Sequence, residues 1–506
     1  MPKKSNKEIF GLLFGLGTFL FVLFFLDLDP GHPEITRTFA VALLMAIWWV
    51  TEALPIAATA LLPVVLFPLL GVMNGKAVSS TYFNHVIFLF IGGFLLALAM
   101  EKWNLHKRIA LKLLMIVGVS PGRLLFGFMF STAFLSMWMS NTATTMMMVP
   151  IVLSLVFKLE ESIGQEEVGF YATGLFLGVA YSASIGGIAT LVGTPPNLSF
   201  ARIFSIMFPN APEISFASWL IFALPLTCLM FAGAWTLLYF WYRPKKQWKT
   251  LSNKTFQAQY DALGKPSYEE KVVFTAFICL ALLWVFRAGI RFGSFSIPGW
   301  SALFEHPKFF NDGTVAILVS LVLFSIPTRS KPGDRILDWS IAERIPWHIV
   351  LLFGGGFALA SGFAHSGLSM WFGEKLSFLA GIHPLVMIGS IAFLMSFLTE
   401  LTSNTATTEM ILPVLAGLAV STKTNPLLFM IPATLAASLA FMLPVATPPN
   451  AIIFGTNRIK ISQMAKTGLV LNFLGVLIVA LVTYFLAPLL FDVDMNAFPD
   501  WAKLVK

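Results

Sequence analysis

Apolar runs recur along the whole chain, at residues 9–26, 38–49, 56–70, 86–100, 220–241, 272–286, 315–326 and 468–490. Most approach the ~20 residues that cross ~30 Å of hydrocarbon. At that depth no water satisfies the backbone, so only helices or a closed barrel span. Composition agrees, with 57% hydrophobic and 11% charged residues where a soluble domain carries roughly 25% charged. An all-α polytopic membrane protein is predicted.

The first run follows Lys3, Lys4 and Lys7 and precedes Asp27, Asp29 and Pro30, with no small-residue cleavage pattern behind it. It reads as a retained span and not as a signal peptide. Cys228 and Cys279 lie inside apolar runs without a His or Cys at metal spacing, so buried packing is expected of them instead of a disulfide or zinc site. The net charge of +8 points to orientation, with no nucleic-acid partner expected, because the basic residues flank apolar runs. With the amino terminus cytoplasmic, the segments predicted inside are 1–8, 101–123, the vicinity of 158, 243–271, 329–344 and 458–466. They hold 23 of the 33 lysines and arginines, as the positive-inside tendency requires. The carboxy terminus, with Asp492, Asp494 and Asp500, then falls outside. Residues 101–114 mix Lys102, Lys107, Arg108 and Lys112 with apolar side chains, the pattern of an interfacial amphipathic helix.

The chain also repeats itself. An offset of 263 residues carries HVIFLFIGGF at 85–94 onto HIVLLFGGGF at 348–357, SNTATT at 140–145 onto the same letters at 403–408, and Pro150 onto Pro413. Thr194-Pro-Pro-Asn197 recurs as Thr447-Pro-Pro-Asn450 at an offset of 253. Between His85 and His348 the apolar pattern implies an odd number of crossings, five, so the two copies face opposite ways. Inverted repeats with interrupted segments near the midplane are the pattern of secondary transporters.

Ser140-Asn-Thr142 lies between the apolar arms 124–138 and 146–157, and Ser403-Asn-Thr405 between 385–398 and 410–420. Each arm looks short for an independent span, which predicts two re-entrant hairpins with the motifs at their tips. A lone Ser or Thr in a membrane helix ordinarily packs or back-bonds to the previous turn. Duplication in register around an amide argues for a site, since Asn offers a carbonyl oxygen to a hard cation and two N–H donors to an anion. Pro195 and Pro196 are expected to free the carbonyls of Leu191 and Val192, and Pro448 and Pro449 those of Pro444 and Val445. Freed carbonyls suit a cation, and a new helix start suits an anion. Neither motif contains Lys or Arg, so a bound dianion needs cations and dipoles for compensation.

Three intramembrane carboxylates stand apart. Glu400 and Glu409 flank the second tip where the first copy has Met137 and Met146. A proton site, a local structural pair and exposure to a water-filled vestibule are the alternatives, and a structural role is favoured. For Glu52 a buried helix-end hydrogen bond is expected.

On these residues, together with SLAFMLPVATPPN at 438–450, the chain resembles the divalent anion/sodium symporter family from about residue 8 to 490, and within it the sodium/dicarboxylate cotransporters. The resemblance implies a homodimer in the inner (cytoplasmic) membrane, about eleven transmembrane helices plus two re-entrant hairpins in two inverted repeats, and an elevator movement of a transport unit against a scaffold. The scaffold of repeat 1 with its interfacial arm would cover 1–115, and its transport unit 116–242 with the break at 193–197. A cytoplasmic linker covers 243–270, followed by the second scaffold at 271–380, the second transport unit at 381–490 with the break at 446–450, and an external tail at 491–506. By the same resemblance one sodium ion meets Ser136, Ser140, Asn141 and Gly193, and another Thr399, Thr402, Asn404 and Ala446. The substrate meets Asn141, Thr142, Thr194, Ser403, Asn404, Thr405, Thr447 and Pro448. Ala446 stands where the first half has Gly193, which suffices if only the carbonyl is used. No cofactor is implied beyond sodium as coupling ion.

The expected function is therefore sodium-coupled symport of C4 dicarboxylates (succinate, malate, fumarate). A sodium-independent exchanger and a sulfate or tricarboxylate carrier are the alternatives on the same scaffold. A membrane-embedded enzyme is disfavoured, because the chain has no Ser/His/Asp arrangement, no His-Glu-x-x-His and no Walker loop.

Overall fold

The computed structural model describes residues 6–503 apart from 119, 245–253, 293, 294, 492 and 496. Lys3, Lys4, residues 245–253 of the polar linker and Asp492 lie outside the described residues.

Helix α1 (Asn6–Phe25) precedes the first repeat. That repeat runs through α2 (Pro33–Thr51), the short α3 (Ile56–Thr59), α4 (Leu62–Leu69) and α5 (Gly75–Ser80), then α6 (His85–Lys102) and α7 (Leu105–Val117). The hairpin arms α8 (Pro121–Ser136) and α9 (Asn141–Ile163) follow, then α10 (Gln165–Ile188), α11 (Pro195–Met207) and α12 (Phe216–Tyr242). After α13 (Lys254–Ala262), the second repeat runs α14 (Tyr268–Val285), α15 (Asp312–Ser325), α16 (Trp339–Ala342), α17 (Trp347–Ser366) and α18 (Leu368–Lys375). It ends with arms α19 (Pro384–Leu398) and α20 (Asn404–Ser421), then α21 (Leu427–Ala436), α22 (Pro448–Phe454) and α23 (Ile461–Phe491). A small antiparallel ribbon, β1 (Ile290–Phe292) with β2 (Phe295–Ile297), interrupts the helices after α14.

Local chemistry sets these boundaries. Asn84 caps α6 by accepting from the amides of Val86 and Ile87, Asn311 caps α15, and Ser267 with Glu270 forms a reciprocal box at the start of α14. Proline opens α8, α11, α19 and α22, where its missing N–H is not needed. Among the described residues, 8 helices are long and apolar enough to cross a membrane by themselves. One of these is the hairpin arm α9. The expected eleven crossings would need, beside the other seven, the shorter apolar helices at 56–69, 312–325 and 427–436, together with α14. Helix α9 is longer than the arm predicted from the apolar run: it spans 23 residues because the polar stretch 158–163 continues the helix.

The repeats interlock. Helix α10 packs between α8 and α9, and α21 between α19 and α20. Across the repeats α12 packs on α23, α11 on α20, and α22 on α9 and α10. Helices α6, α14 and α15 pack together, while α17 packs on α2, α3 and α4. Tight ion pairs pin the ends of this frame. Buried Arg287 donates to Asp312 at 2.5 Å and to Glu213 at 2.6 Å, and Asp312 also accepts the Phe216 amide at 2.8 Å, which joins the starts of α12 and α15 to the end of α14. Lys102 donates to Asp338 at 2.7 Å. The hydrogen bond from Lys102, with that from Ser340, holds the Asp338 carboxyl at about 2.

Three expectations need correction. The basic segment 101–114 is divided differently: α6 continues to Lys102, and the amphipathic helix is α7, which starts at Leu105 and buries Arg108. Cys228 and Cys279 are free and exposed, since an apolar side chain on a lipid-facing helix surface needs no burial within the protein. Glu52 is also exposed, as the left-handed residue at the end of α2 with φ 52°.

Arg108 donates to Glu270 at 2.9 and 3.1 Å and to the carbonyls of Gly264 and Leu263, which ties the first repeat to the entry of the second. Removing one partner of a buried pair costs about 3–5 kcal/mol. Arg108→Met is expected to lower the thermal unfolding midpoint in detergent, and the double change with Glu270→Met to recover part of the loss.

Candidate functional site

Each hairpin tip places its Asn as the first residue of the second arm, with the preceding Ser as cap. In the first half the Ser136 hydroxyl lies 2.6 Å from Asn141 Oδ1 and 2.7 Å from the Ala183 carbonyl. In the second the Thr399 hydroxyl lies 2.6 Å from Asn404 Oδ1 and 2.9 Å from the Ala437 carbonyl. One hydroxyl proton serves two acceptors in each cluster. Three oxygens sharing a single proton are electron-rich, and that is the donor set a small hard cation takes. Thr145 and Thr408 donate to the carbonyls of Asn141 and Asn404 at 2.8 and 2.7 Å, holding both tips alike.

Gly193 joins the first cluster through its backbone. A Cβ on Gly187 would lie 2.6 Å from Asn141 Oδ1 and 3.0 Å from the Gly193 carbonyl oxygen, so these two oxygens converge on the bare face of Gly187. Ser140 accepts from the Ala143 amide at 3.2 Å. Thr402 is not brought to the second cluster by its side chain: its hydroxyl donates to the Leu398 carbonyl at 2.8 Å or meets Thr407 at 2.5 Å. Ala446 is buried in the unwound stretch before α22.

The helix breaks differ from the expected mechanism. Helix α10 already ends at Ile188 and α21 at Ala436, so the prolines do not terminate them. They start the following half-helices instead. The unwound stretches, 189–194 and 437–447, are held by side chains. Asn197 Nδ2 shares its two protons among the carbonyls of Gly187, Ile188 and Thr190 at 3.4, 3.2 and 2.8 Å, and Asn450 Nδ2 donates to Ala440 and Leu443 at 3.1 and 3.0 Å.

Thr190 ties the first break to its tip, donating to the Met137 carbonyl at 2.5 Å and accepting the Gly193 amide at 3.0 Å. In the second half Glu400 does this: its carboxylate accepts the amides of Phe441, Met442 and Leu443 at 2.7, 2.9 and 3.1 Å, and Asn472 at 2.8 Å. Glu400 is thus a local structural partner, as favoured from sequence. Its position matches Met137, so the same residue position fastens tip to break in both halves. Sequence reasoning missed Thr190, Ala183, Ala437 and Asn472. Ala183 and Ala437 were findable, since both sit near the 253 offset of the breaks.

A cavity of about 1120 Å³ reaches this region, lined by Ser140, Thr142, Met146 and Pro448 together with Glu101, Lys107, Arg344 and His348. Glu101, Lys107 and Arg344 of this lining belong to the segments rich in Lys and Arg. Tip 1 and break 2 therefore share one wall. Thr194, Thr405 and Thr447 are buried, Ser403 and Asn404 half-buried, and Thr447 accepts the Asn450 amide at 3.3 Å.

Residues 7–492 match the sodium:sulfate symporter transmembrane region. The chain belongs to this family, the divalent anion/sodium symporters, and is a multi-pass membrane transporter and not an enzyme. It is 43% identical over 509 residues, 98% of this chain and 95% of the relative, to the sodium-dependent dicarboxylate transporter SdcS of Staphylococcus saprophyticus. Against the protein of the same name from Staphylococcus aureus it is 42% identical over 498 residues, 97% of this chain and 94% of that one. The solved Alcanivorax borkumensis YdaH transporter shares the fold, with a TM-score of 0.56 at 14% identity over 89% of this chain and 99% of that one.

Gly187→Ala would drive a methyl into the Asn141 amide. Losing one hydrogen-bonding partner of a charged group costs about 1.5–3 kcal/mol, so transport at subsaturating cation is expected to fall ten- to 150-fold. Uptake measured across a range of cation concentrations checks this.

Proposed function

We propose that this chain is a sodium-coupled symporter of C4 dicarboxylates such as succinate, malate and fumarate in the cytoplasmic membrane. It works as a homodimer whose transport units, α8–α12 and α19–α23, move as an elevator against the remaining helices. The amino terminus is cytoplasmic and the carboxy terminus external. The observation that carries the reading is the duplicated oxygen cluster, three oxygens and one proton at Ser136/Asn141/Ala183 and again at Thr399/Asn404/Ala437. The names of the staphylococcal relatives favour sodium and dicarboxylate.

In this reading one sodium ion is held by Ser136, Ser140, Asn141 and Gly193, and another by Thr399, Asn404, Ala446 and the backbone of Thr402. The dianion lies between the tips, against Asn141, Thr142, Ser403, Asn404 and Thr405, with Thr194, Thr447 and Pro448 of the breaks. Bound sodium and the helix starts compensate its charge, because the tips offer no Lys or Arg. The cavity lining includes Lys107 and Arg344 of the basic segments, so the conformation is inward-facing.

Uptake of labelled succinate into proteoliposomes is expected to require external sodium and to be sigmoidal in its concentration. Full uptake with choline on both sides would sink the reading, and counterflow without sodium would indicate an exchanger. Within each tip the Asn and Thr should separate. Thr142→Ala and Thr405→Ala are expected to weaken succinate binding roughly ten- to 150-fold while sodium binding without substrate stays near wild type. Asn141→Ala and Asn404→Ala should weaken both. Sodium titrations of the four variants, followed by succinate titrations at saturating sodium, distinguish these outcomes.

A further inference from the structure

The two glycine runs that align at the 263 offset, on α6 and α17, do not have equivalent neighbours. A methyl on Gly93 would lie 3.3 Å from Val192 Cγ1, a side chain of the first break. A methyl on the matching Gly356 would lie 2.2 Å from Glu409 Cδ and 2.3 Å from its Oε2, on the arm of the second hairpin. The residues matching these two partners are left uncovered. Val445, which corresponds to Val192 at the offset of 253, is 83% exposed, and Met146, which corresponds to Glu409, is 60% exposed and lines the cavity. One glycine therefore seats a break and the other seats a hairpin arm, and in each half the alternative occupant is free.

Glu409 is an uncomfortable occupant. It is 0% exposed; Oε1 accepts from Ser199 at 2.9 Å, while Oε2 is buried without a hydrogen-bond partner among the described residues. The Met at the matching position carries no such cost. Burying a charged group with one partner is unfavourable by general electrostatics, so the seat on Gly356 is held against a penalty that Met146 on Gly93 would not incur.

We propose that Gly93 and Gly356 are the two seats of a reciprocal switch: in the outward-facing state Val445 replaces Glu409 on Gly356, Met146 replaces Val192 on Gly93, and the Glu409 carboxylate lines an outer vestibule open to external cations. The proposal rests on alternating access in the function argued above, with the two inverted repeats exchanging conformations. It gives the exposed Val445 a partner and makes Glu409 a brake: its carboxylate is wet when the protein faces out and must be desolvated each time it turns inward.

The test uses the full-length protein with Cys228 and Cys279 replaced by Ser, carrying Met146→Cys or Glu409→Cys, in oriented vesicles treated with a membrane-impermeant thiol reagent. Met146→Cys is expected to label from the cytoplasmic side and Glu409→Cys from the outside. Addition of sodium, or of sodium with succinate, should change the two rates in opposite directions. Glu409→Gln keeps the acceptor for Ser199 and removes the charge. In the Met146→Cys background it should speed cytoplasmic labelling by roughly an order of magnitude, because an amide is cheaper to desolvate than a carboxylate. Labelling of Glu409→Cys from the cytoplasmic side, or from neither side while Met146→Cys responds to ligand, overturns the switch, as does an unchanged rate in Glu409→Gln. If neither position responds to any ligand while both label, alternating access itself fails, and that result is distinguishable from failure of the switch alone.

Discussion

A broken helix inside a membrane must find partners for the backbone groups it releases, and the arrangement of this protein follows from how it does so. Two helices break at the centre, and each break is fastened by a side-chain amide: Asn197 reaches the end of α10 and the unwound Thr190, and Asn450 reaches Ala440 and Leu443 within the unwound stretch. Those bonds consume several of the carbonyls that a break exposes. What is left for a ligand is therefore not the whole set of freed carbonyls but the few that face the tips. The clusters around Asn141 and Asn404 are built where tip and break meet, and neither element could form them alone.

The two halves reach this by different chemistry, and the differences are physical consequences of length. The first unwound stretch covers residues 189–194 and one hydroxyl, that of Thr190, suffices to bind it to the tip. The second covers 437–447 and releases a longer row of amides. A carboxylate with two oxygens and several lone pairs answers that need, and Glu400 accepts three consecutive amides and the Asn472 side chain. The departure from symmetry at position 400, where the first copy has Met137, is thus explained by the backbone it serves. The departure at position 409 is not of this kind, since among the described residues Glu409 bonds Ser199 alone.

Much of this was legible in the letters. The offset of 263 fixed the inverted halves, and the duplicated SNTATT placed Asn141 and Asn404 at hairpin tips, because identical polar letters inside apolar arms have one economical explanation. Ser136 and Thr399, implied by family resemblance, do meet those amides. The prolines were read correctly as marking the breaks and incorrectly as causing them: a sequence shows where an N–H is missing, but α10 ends at Ile188 for tertiary reasons, with Trp219 and Asn197 both donating to the Ile188 carbonyl. The Thr402 hydroxyl turns to Leu398 and Thr407, a side-chain preference the letters do not show. Asn472 was invisible, since a single polar residue in the long apolar α23 carries no spacing signal that would tie it to Glu400, 72 residues away.

The absence of basic residues from the tips bears on order as well as on charge. A dicarboxylate drawn into a site lined by hydroxyls, amides and carbonyls exchanges strong hydration for neutral donors, and the oxygen-rich clusters beside it would repel it further. Filling those clusters with cations reverses the local potential, and with Oδ1 held in the cluster the Nδ2 donors of Asn141 and Asn404 are left for an anion. In the proposed function, sodium therefore does more than supply a gradient. On that reading it completes the anion site, and obligatory coupling would follow from leaving out the lysine or arginine that would have let the substrate bind by itself.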